Sequence, residues 1–186
     1  MTRILVTGSR DWTDQEKSED ALNAALALLG STARESVLVH GAAAGADGLL
    51  AAAAARIGMA TEAHPADWNS HVASCPPSHS GQRVCKGAGH RRNAAMIAAG
   101  ADACLAFPTH GYHLAPGEDR TRTSRGTWDC AEKAKDAGLP TLVVWGKEFY
   151  PFGQPALQLL TRAAQSKQLT LGSAGQLPII EAWLPF

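Results

Sequence analysis

The chain has 186 residues, with 17 basic and 17 acidic side chains and a formal net charge of zero. That length suits one α/β domain with loop insertions, and the neutral total argues against a dedicated polyanion binder. No apolar run is long enough to span a bilayer, and four cysteines are too few for a disulfide scaffold. The start, Met1-Thr2-Arg3, lacks the apolar core of a signal peptide, so a cytoplasmic protein with no membrane partner is expected.

Ile4-Leu5-Val6 is a short β-rich run ending at Gly8, as in a buried parallel strand. Thr13-Asp14-Gln15-Glu16 matches a capping box, and Ala21, Leu22, Ala25, Leu26 and Leu29 follow at helical spacing until Gly30. Val37-Leu38-Val39 is a second buried strand. The Ala-rich stretch from Asp47 to Ile57 predicts a closely packed helix stopped by Gly58, and 61–64 a weak third strand. Periodicity then vanishes from Pro65 to Gly89. A helix is predicted over 90–99, a strand over 103–107 and a polar loop over 109–125. A helix over 128–137 and a strand over 141–145 complete the alternation. The fold class expected is α/β: a Rossmann-like, doubly wound, mostly parallel sheet with helices on both faces. The domain is placed at 1–146, with insertions near 65–89 and 109–125. Residues 147–186 form a C-terminal extension packed on the domain or used in oligomerisation, with a helix expected over 154–166 and an apolar strap from Leu177 to Phe186.

Strand C-termini of a parallel sheet share one edge, where ligands bind. Corners containing Gly8, Gly41, Pro108 and Gly126 therefore converge. One glycine corner says little, since turns need glycine for steric reasons, but several on one edge point to backbone amides approaching an anion. Gly8, Ser9, Arg10, His40, Gly41, Gly45, Asp47, Asn93, Gly126 and Thr127 are the candidate ligand-binding residues. Arg10 is a fork for phosphate or carboxylate, or else a solvated loop arginine. Asp47 and Thr127 open helices, where capping is the simpler role and does not exclude ligand contact. Arg91 and Arg92 sit at a helix start, where cations oppose the macrodipole unless an anion compensates; they cannot share a face, so one of them is expected at the surface.

A second constellation lies in the insertion. Cys75, His79 and Cys85, with His71 or His90, are residue types that hold zinc, although their spacing matches no standard finger. The alternatives are unrelated polar loop residues or an adventitious Cys75–Cys85 disulfide. Structural zinc is thus the only cofactor suggested. Cys104 is expected to be a small core residue.

Taken together, Gly8-Ser9-Arg10, His40-Gly41 with Gly45-Ala46-Asp47, His64-Pro65-Ala66-Asp67-Trp68, Arg91-Arg92-Asn93 with Met96, and Gly126-Thr127 resemble the SLOG superfamily. This superfamily joins LOG-type phosphoribohydrolases with DNA-processing-A proteins; the resemblance is to its short YspA-like branch of bacteria and phages and runs to about Trp145. It implies a Rossmann-like sheet binding nucleotide-derived ligands, and a homodimer. LOG enzymes cleave a base from ribose 5′-monophosphate with an arginine, which Arg92 (or its neighbour Arg91) resembles, and a glutamate. At the glutamate's position this chain has Cys130, with Asp129 one residue earlier, and Thr123-Ser124-Arg125 replaces the usual Pro-Gly-Gly. The expected function is therefore binding of a nucleotide or phosphorylated nucleoside derivative, for sensing or sequestration. The alternative is an N-glycosidase in which Asp47 or Asp129 serves as the carboxylate alongside Arg91 or Arg92. Single-stranded nucleic acid ranks last among partners, because the chain is neutral and its aromatic residues are few and scattered.

Overall fold

The computed structural model describes residues 1–73, 75, 78, 81–109, 124–145 and 148–165. Its centre is a six-stranded sheet built from β1 (Thr2–Gly8), β2 (Ser36–His40), β3 (Ala60–Ala63), β4 (Ala103–Phe107), β5 (Thr141–Trp145) and β6 (Glu148–Phe152). The spatial order is β3-β2-β1-β4-β5-β6, parallel throughout except for antiparallel β6 at one edge. The expected α/β, doubly wound architecture is therefore present. The helices are α1 (Gln15–Leu28), α2 (Ala46–Arg56), α3 (Ala88–Ala98), α4 (Arg125–Asp136) and α5 (Gln154–Gln165).

Alternation along each strand decides which face each helix covers, because successive strand side chains point to opposite sides. Ile4, Val6, Leu38, Leu105, Phe107, Leu142 and Val144 meet α1, α2 and α5 in the larger core. Leu5, Val39 and Cys104 meet Met96 of α3 and Cys130 and Ala134 of α4 on the other side. Cys104 is the core residue expected, and burial holds its thiol well above the ordinary value. The neighbouring Ala106 and Val143 pack with Ala131. Both faces are closed, so the short central strands are buried along their whole length, and β4 is apolar throughout.

Several boundaries differ from the sequence reading for identifiable reasons. The cap of α1 is Asp14, whose carboxylate accepts the Lys17 N–H at 2.9 Å, and not Thr13. α3 begins at Ala88 and α4 at Arg125, so Gly89 and Gly126 lie inside first turns. Strand β6 was not expected; Pro151 lies within it, which is tolerated because β6 is an edge strand. The first part of the C-terminal extension thus joins the main sheet, and Ala156 of α5 is buried in its larger core. Most of the 109–125 loop, Gly146, His79 and the Leu177–Phe186 strap lie outside the described residues. No helix among the described residues is long and apolar enough to cross a membrane.

Candidate functional site

Strand order reverses between β1 and β4: the chain leaves β1 toward β2 on one side and later returns to β4 on the other. At such a switch point the loops after the two strands diverge and leave a crevice. Here the crevice is a cleft of about 390 Å³, within the usual range for small-ligand sites. Its floor is the end of β1, Val6 to Asp11. Its walls come from Ala43 and Asp47, from Trp68 and Lys86, from Gly89, His90, Arg92, Asn93 and Met96 of α3, and from Ser124, Gly126 and Thr127.

Close backbone approach makes the floor. A Cβ on Gly8 would lie 2.2 Å from the Ala46 Cβ, so only glycine lets α2 sit this near β1. Gly45 has φ +75°, and a Cβ there would meet the Ser9 carbonyl oxygen at 2.3 Å. The Ala46 N–H donates to that carbonyl at 3.1 Å. Ser9 is therefore fixed from both sides, since its own N–H reaches the Phe107 carbonyl at 2.9 Å. Its hydroxyl accepts from Thr109 Oγ1 at 2.9 Å.

Cationic groups dominate the rim. The Arg10 guanidinium stacks 5.7 Å from the Trp68 ring centroid, closing the cleft beside Lys86. Arg92 points inward: Nε donates to Asn93 Oδ1 at 3.0 Å and Nη1 to the His64 carbonyl at 3.3 Å. Its guanidinium occupies the space over Gly41, where a Cβ would fall 1.4 Å from Nη1. Gly41 thus seats Arg92 and does not face the cleft. The α4 N-terminus also opens here. Gly126 has no neighbour within 4 Å of an added Cβ, and the first turn of α4 carries no acidic residue. A helix start leaves amides without intrahelical partners and a partial positive charge, so the Gly126 and Thr127 amides suit an anion.

Asp47 is the buried carboxylate of the cleft. It does not cap α2, whose N-cap is Gly45; its Oδ2 accepts the Ala43 N–H at 3.2 Å. Burial raises its pKa above the ordinary carboxylate value, outweighing the Ala43 amide and the nearby Arg92 and His40. His40 is buried behind the cleft, where its Nδ1 accepts the Ala42 N–H at 3.2 Å; burial first, and Arg92 among lesser causes, lowers its pKa. Gly45 lines a neighbouring shallow groove with Arg10 and Trp12.

The other expected catalytic groups separate. Asp129 is off the cleft surface and engaged by Lys133, by Asn93 Nδ2 at 2.9 Å and by His90 Nδ1 at 2.8 Å. Burial pushes its carboxyl up, but those three partners prevail and hold it below the ordinary range. Cys130 is fully buried in the core, with its thiol pushed up to about 11 mainly by burial. Arg91 turns away from the cleft: its Nη1 lies 3.3 Å from Cys75 Sγ and 3.4 Å from Cys85 Sγ, and Nη2 donates to the Ser70 carbonyl at 2.8 Å. Neither arginine of the pair is exposed, contrary to the expectation of a surface residue. About 100° apart on one helix, they serve two different clusters.

The structure also brings His71, Cys75 and Cys85 together, with ligand atoms within 4.8 Å of one another. The sulfurs are unbridged and 3.4 Å apart. The Arg91 guanidinium, aided by Cys75 and the Gly87 amide, lowers the Cys85 thiol to about 7 against the effect of burial. His90, the alternative fourth group, is taken by Asp129 instead. Asp11 and Lys86 line the cleft without having been singled out in the sequence, and Ser124, named there only beside the Gly126 corner, lines it too. Ser124 carried a usable signal, a small N-cap residue just before a glycine-bearing helix start.

Residues 2–71 match the profile of the YAcAr family, described as YspA, cpYpsA-related SLOG. The Gene 61 protein of Mycobacterium phage D29 is 35% identical over 147 residues, covering 76% of this chain and 95% of that protein. Among solved structures, DNA processing protein A of Streptococcus pneumoniae superposes with a TM-score of 0.50 at 18% identity, over 89% of this chain and 56% of its own. The Helicobacter pylori DNA processing protein A, described for a unique single-stranded DNA binding mode, gives 0.47 at 17% identity, over 87% and 73%. The chain spans little more than half of the pneumococcal structure, and at these identities the likeness concerns the fold. With the Rossmann-like sheet and the phage relative matched almost end to end, the chain belongs to the YspA, cpYpsA-related SLOG family.

Proposed function

We propose that the cleft binds a nucleotide or phosphorylated nucleoside derivative, with its phosphate at the α4 N-terminus and Arg92 and Arg10 as flanking cations. The observation that carries this reading is the convergence, at the sheet's switch point, of the Gly126 and Thr127 amides with Arg10, Lys86 and Arg92. Trp68 under Arg10 adds an apolar surface against which a base or ribose rests. Thermal unfolding with nucleoside 5′-monophosphates, and separately with the matching nucleosides, tests it. A ligand at 100 times its Kd stabilises by about 2.7 kcal/mol, or roughly 5–10 °C for a domain of this size. The monophosphates are expected to raise Tm, the nucleosides to do far less, and Arg92→Ala to abolish the rise. No shift at millimolar monophosphate overturns the proposal. Single-stranded oligonucleotides belong in the same panel, because a structural neighbour is described as binding single-stranded DNA. A larger shift with them, steeply weakened by salt, would favour that ligand class instead.

A second reading, N-glycoside hydrolysis, is favoured by one observation: Asp47 is a buried cleft carboxyl with a raised pKa beside Arg92. Asp129 is a poorer candidate because Lys133, Asn93 and His90 already occupy its carboxylate and hold its pKa down. Release of free base from a monophosphate, lost in Asp47→Asn, supports this reading; inertness across the panel removes it.

A further inference from the structure

We propose that His71, Cys75 and Cys85 bind a zinc ion that secures the 65–87 insertion to α3 and so holds the Trp68 wall of the cleft in place. The donor set is two sulfurs and one imidazole with ligand atoms within 4.8 Å of one another. Tetrahedral zinc with Zn–S bonds of about 2.3 Å sets two thiolates about 3.8 Å apart. The sulfurs here are 3.4 Å apart and open by a few tenths of an ångström to take the ion, while the His71 ring, up to 4.8 Å from them, closes by about 1 Å toward the roughly 3.6 Å separation of a zinc-bound nitrogen and sulfur. Three protein ligands leave the fourth position of tetrahedral zinc to solvent, as in open zinc sites, and His71 is exposed on that side.

The surroundings support an ion. Arg91 donates toward both sulfurs and anchors the Ser70 carbonyl, the kind of outer-shell donor that orients metal-bound thiolates and offsets their charge. The Cys85 N–H donates to the Trp68 carbonyl at 2.7 Å, which links the cluster to the cleft wall. The described residues of the insertion contain no α-helix and no strand between β3 and α3. Cys85 is the one buried residue among them, while Trp68, Val72 and Val84 are 37%, 40% and 48% exposed. Apolar burial therefore supplies little of the insertion's order, and a metal is a common substitute in segments without a core. The proposal does not depend on what the cleft binds.

The test is elemental analysis of the full chain purified without chelator, followed by cobalt substitution. About one zinc per chain is expected. The cobalt form should show tetrahedral d–d bands and thiolate-to-cobalt charge transfer. Cys85→Ser and His71→Ala should lose the metal, whereas His90→Ala keeps it. Because His71 is exposed, His71→Ala remains informative even if Cys85→Ser fails to fold. Readding zinc to stripped protein should raise Tm in the parent and not in His71→Ala. Less than a tenth of an equivalent of zinc with no cobalt spectrum overturns the proposal. So does equal metal retention in His71→Ala, or a thiol assay in which two cysteines appear only after a reductant, the mark of a disulfide.

Discussion

Replacing Gly8 by alanine probes the close approach on which the cleft floor depends. The new Cβ would stand 2.2 Å from the Ala46 Cβ and 3.0 Å from the Phe107 Cβ. Carbon atoms settle at about 3.5–4.0 Å, so the start of α2 must retreat by about 1.3 Å or more. That retreat strains the Ala46 N–H bond to the Ser9 carbonyl, now 3.1 Å. Overpacking against backbone-anchored atoms costs about 3 kcal/mol, the upper part of its usual range. Lower unfolded-state entropy returns about 0.4–1 kcal/mol, since Gly8 does not have positive φ. The net loss of about 2 kcal/mol corresponds to a Tm drop of about 4–8 °C. Thermal unfolding by circular dichroism measures it, together with Ala46→Gly and the double variant. Removing the Ala46 Cβ opens the space the Gly8→Ala methyl needs, so the double variant should be more stable than the two single losses sum to, by about 1–2 kcal/mol. A Gly8→Ala Tm within 1 °C of the parent, or strict additivity of the pair, would refute the reasoning.

Two predictions concern pH. Asp47 has a folded pKa raised above its ordinary 3.8, so its ionisation costs stability above that value and nothing well below it. Asp47→Asn should therefore be more stable than the parent at pH 7, with the advantage vanishing near pH 3 (roughly a unit below that ordinary value), as followed by denaturant unfolding across pH. Equal stability at pH 7 would contradict a desolvated carboxyl. Glu62 behaves in the opposite sense. Arg3 reaches it with two hydrogen bonds at 2.8 and 3.0 Å, and His64 Nε2 lies 2.6 Å away; these hold its carboxyl at about 2. Its contribution is full above the ordinary 4.5 and lost as pH falls toward about 2. Because the side chain is 38% exposed, solvent screening limits the effect to about 1 kcal/mol or less. Glu62→Gln should lower Tm by about 2–4 °C at most at pH 7, with the gap closing as pH approaches 2. A pH-independent gap would assign the loss to packing instead.

How much of this could be read from the sequence depended on the local signal. Strands β4 and β5 were placed residue for residue, because short apolar runs flanked by glycine or proline have little else to become. The early starts of α3 and α4 were hidden because Gly89 read as the end of the insertion and Gly126 as a corner, while both lie within first turns. Strand β6 was masked by Pro151, which only an edge position permits, and edge status is a property of the assembled sheet. Of the candidate residues, Arg10 and Asn93, named from strand-end and helix-start positions, line the cleft. The division between Arg92 in the cleft and Arg91 on the thiol cluster depends on what surrounds each side of α3, which no spacing rule contains. The same limit applies to Asp129, whose three partners come from two helices.

The central claim is that the α4 N-terminus receives a phosphate. Its most direct test is a pair of ¹H–¹⁵N correlation titrations of the full chain, one with AMP and one with adenosine. The account predicts that AMP shifts the Gly126 and Thr127 amides strongly and that adenosine leaves them nearly unmoved. Unperturbed Gly126 and Thr127 amides at millimolar AMP, or equal shifts with adenosine, would contradict it.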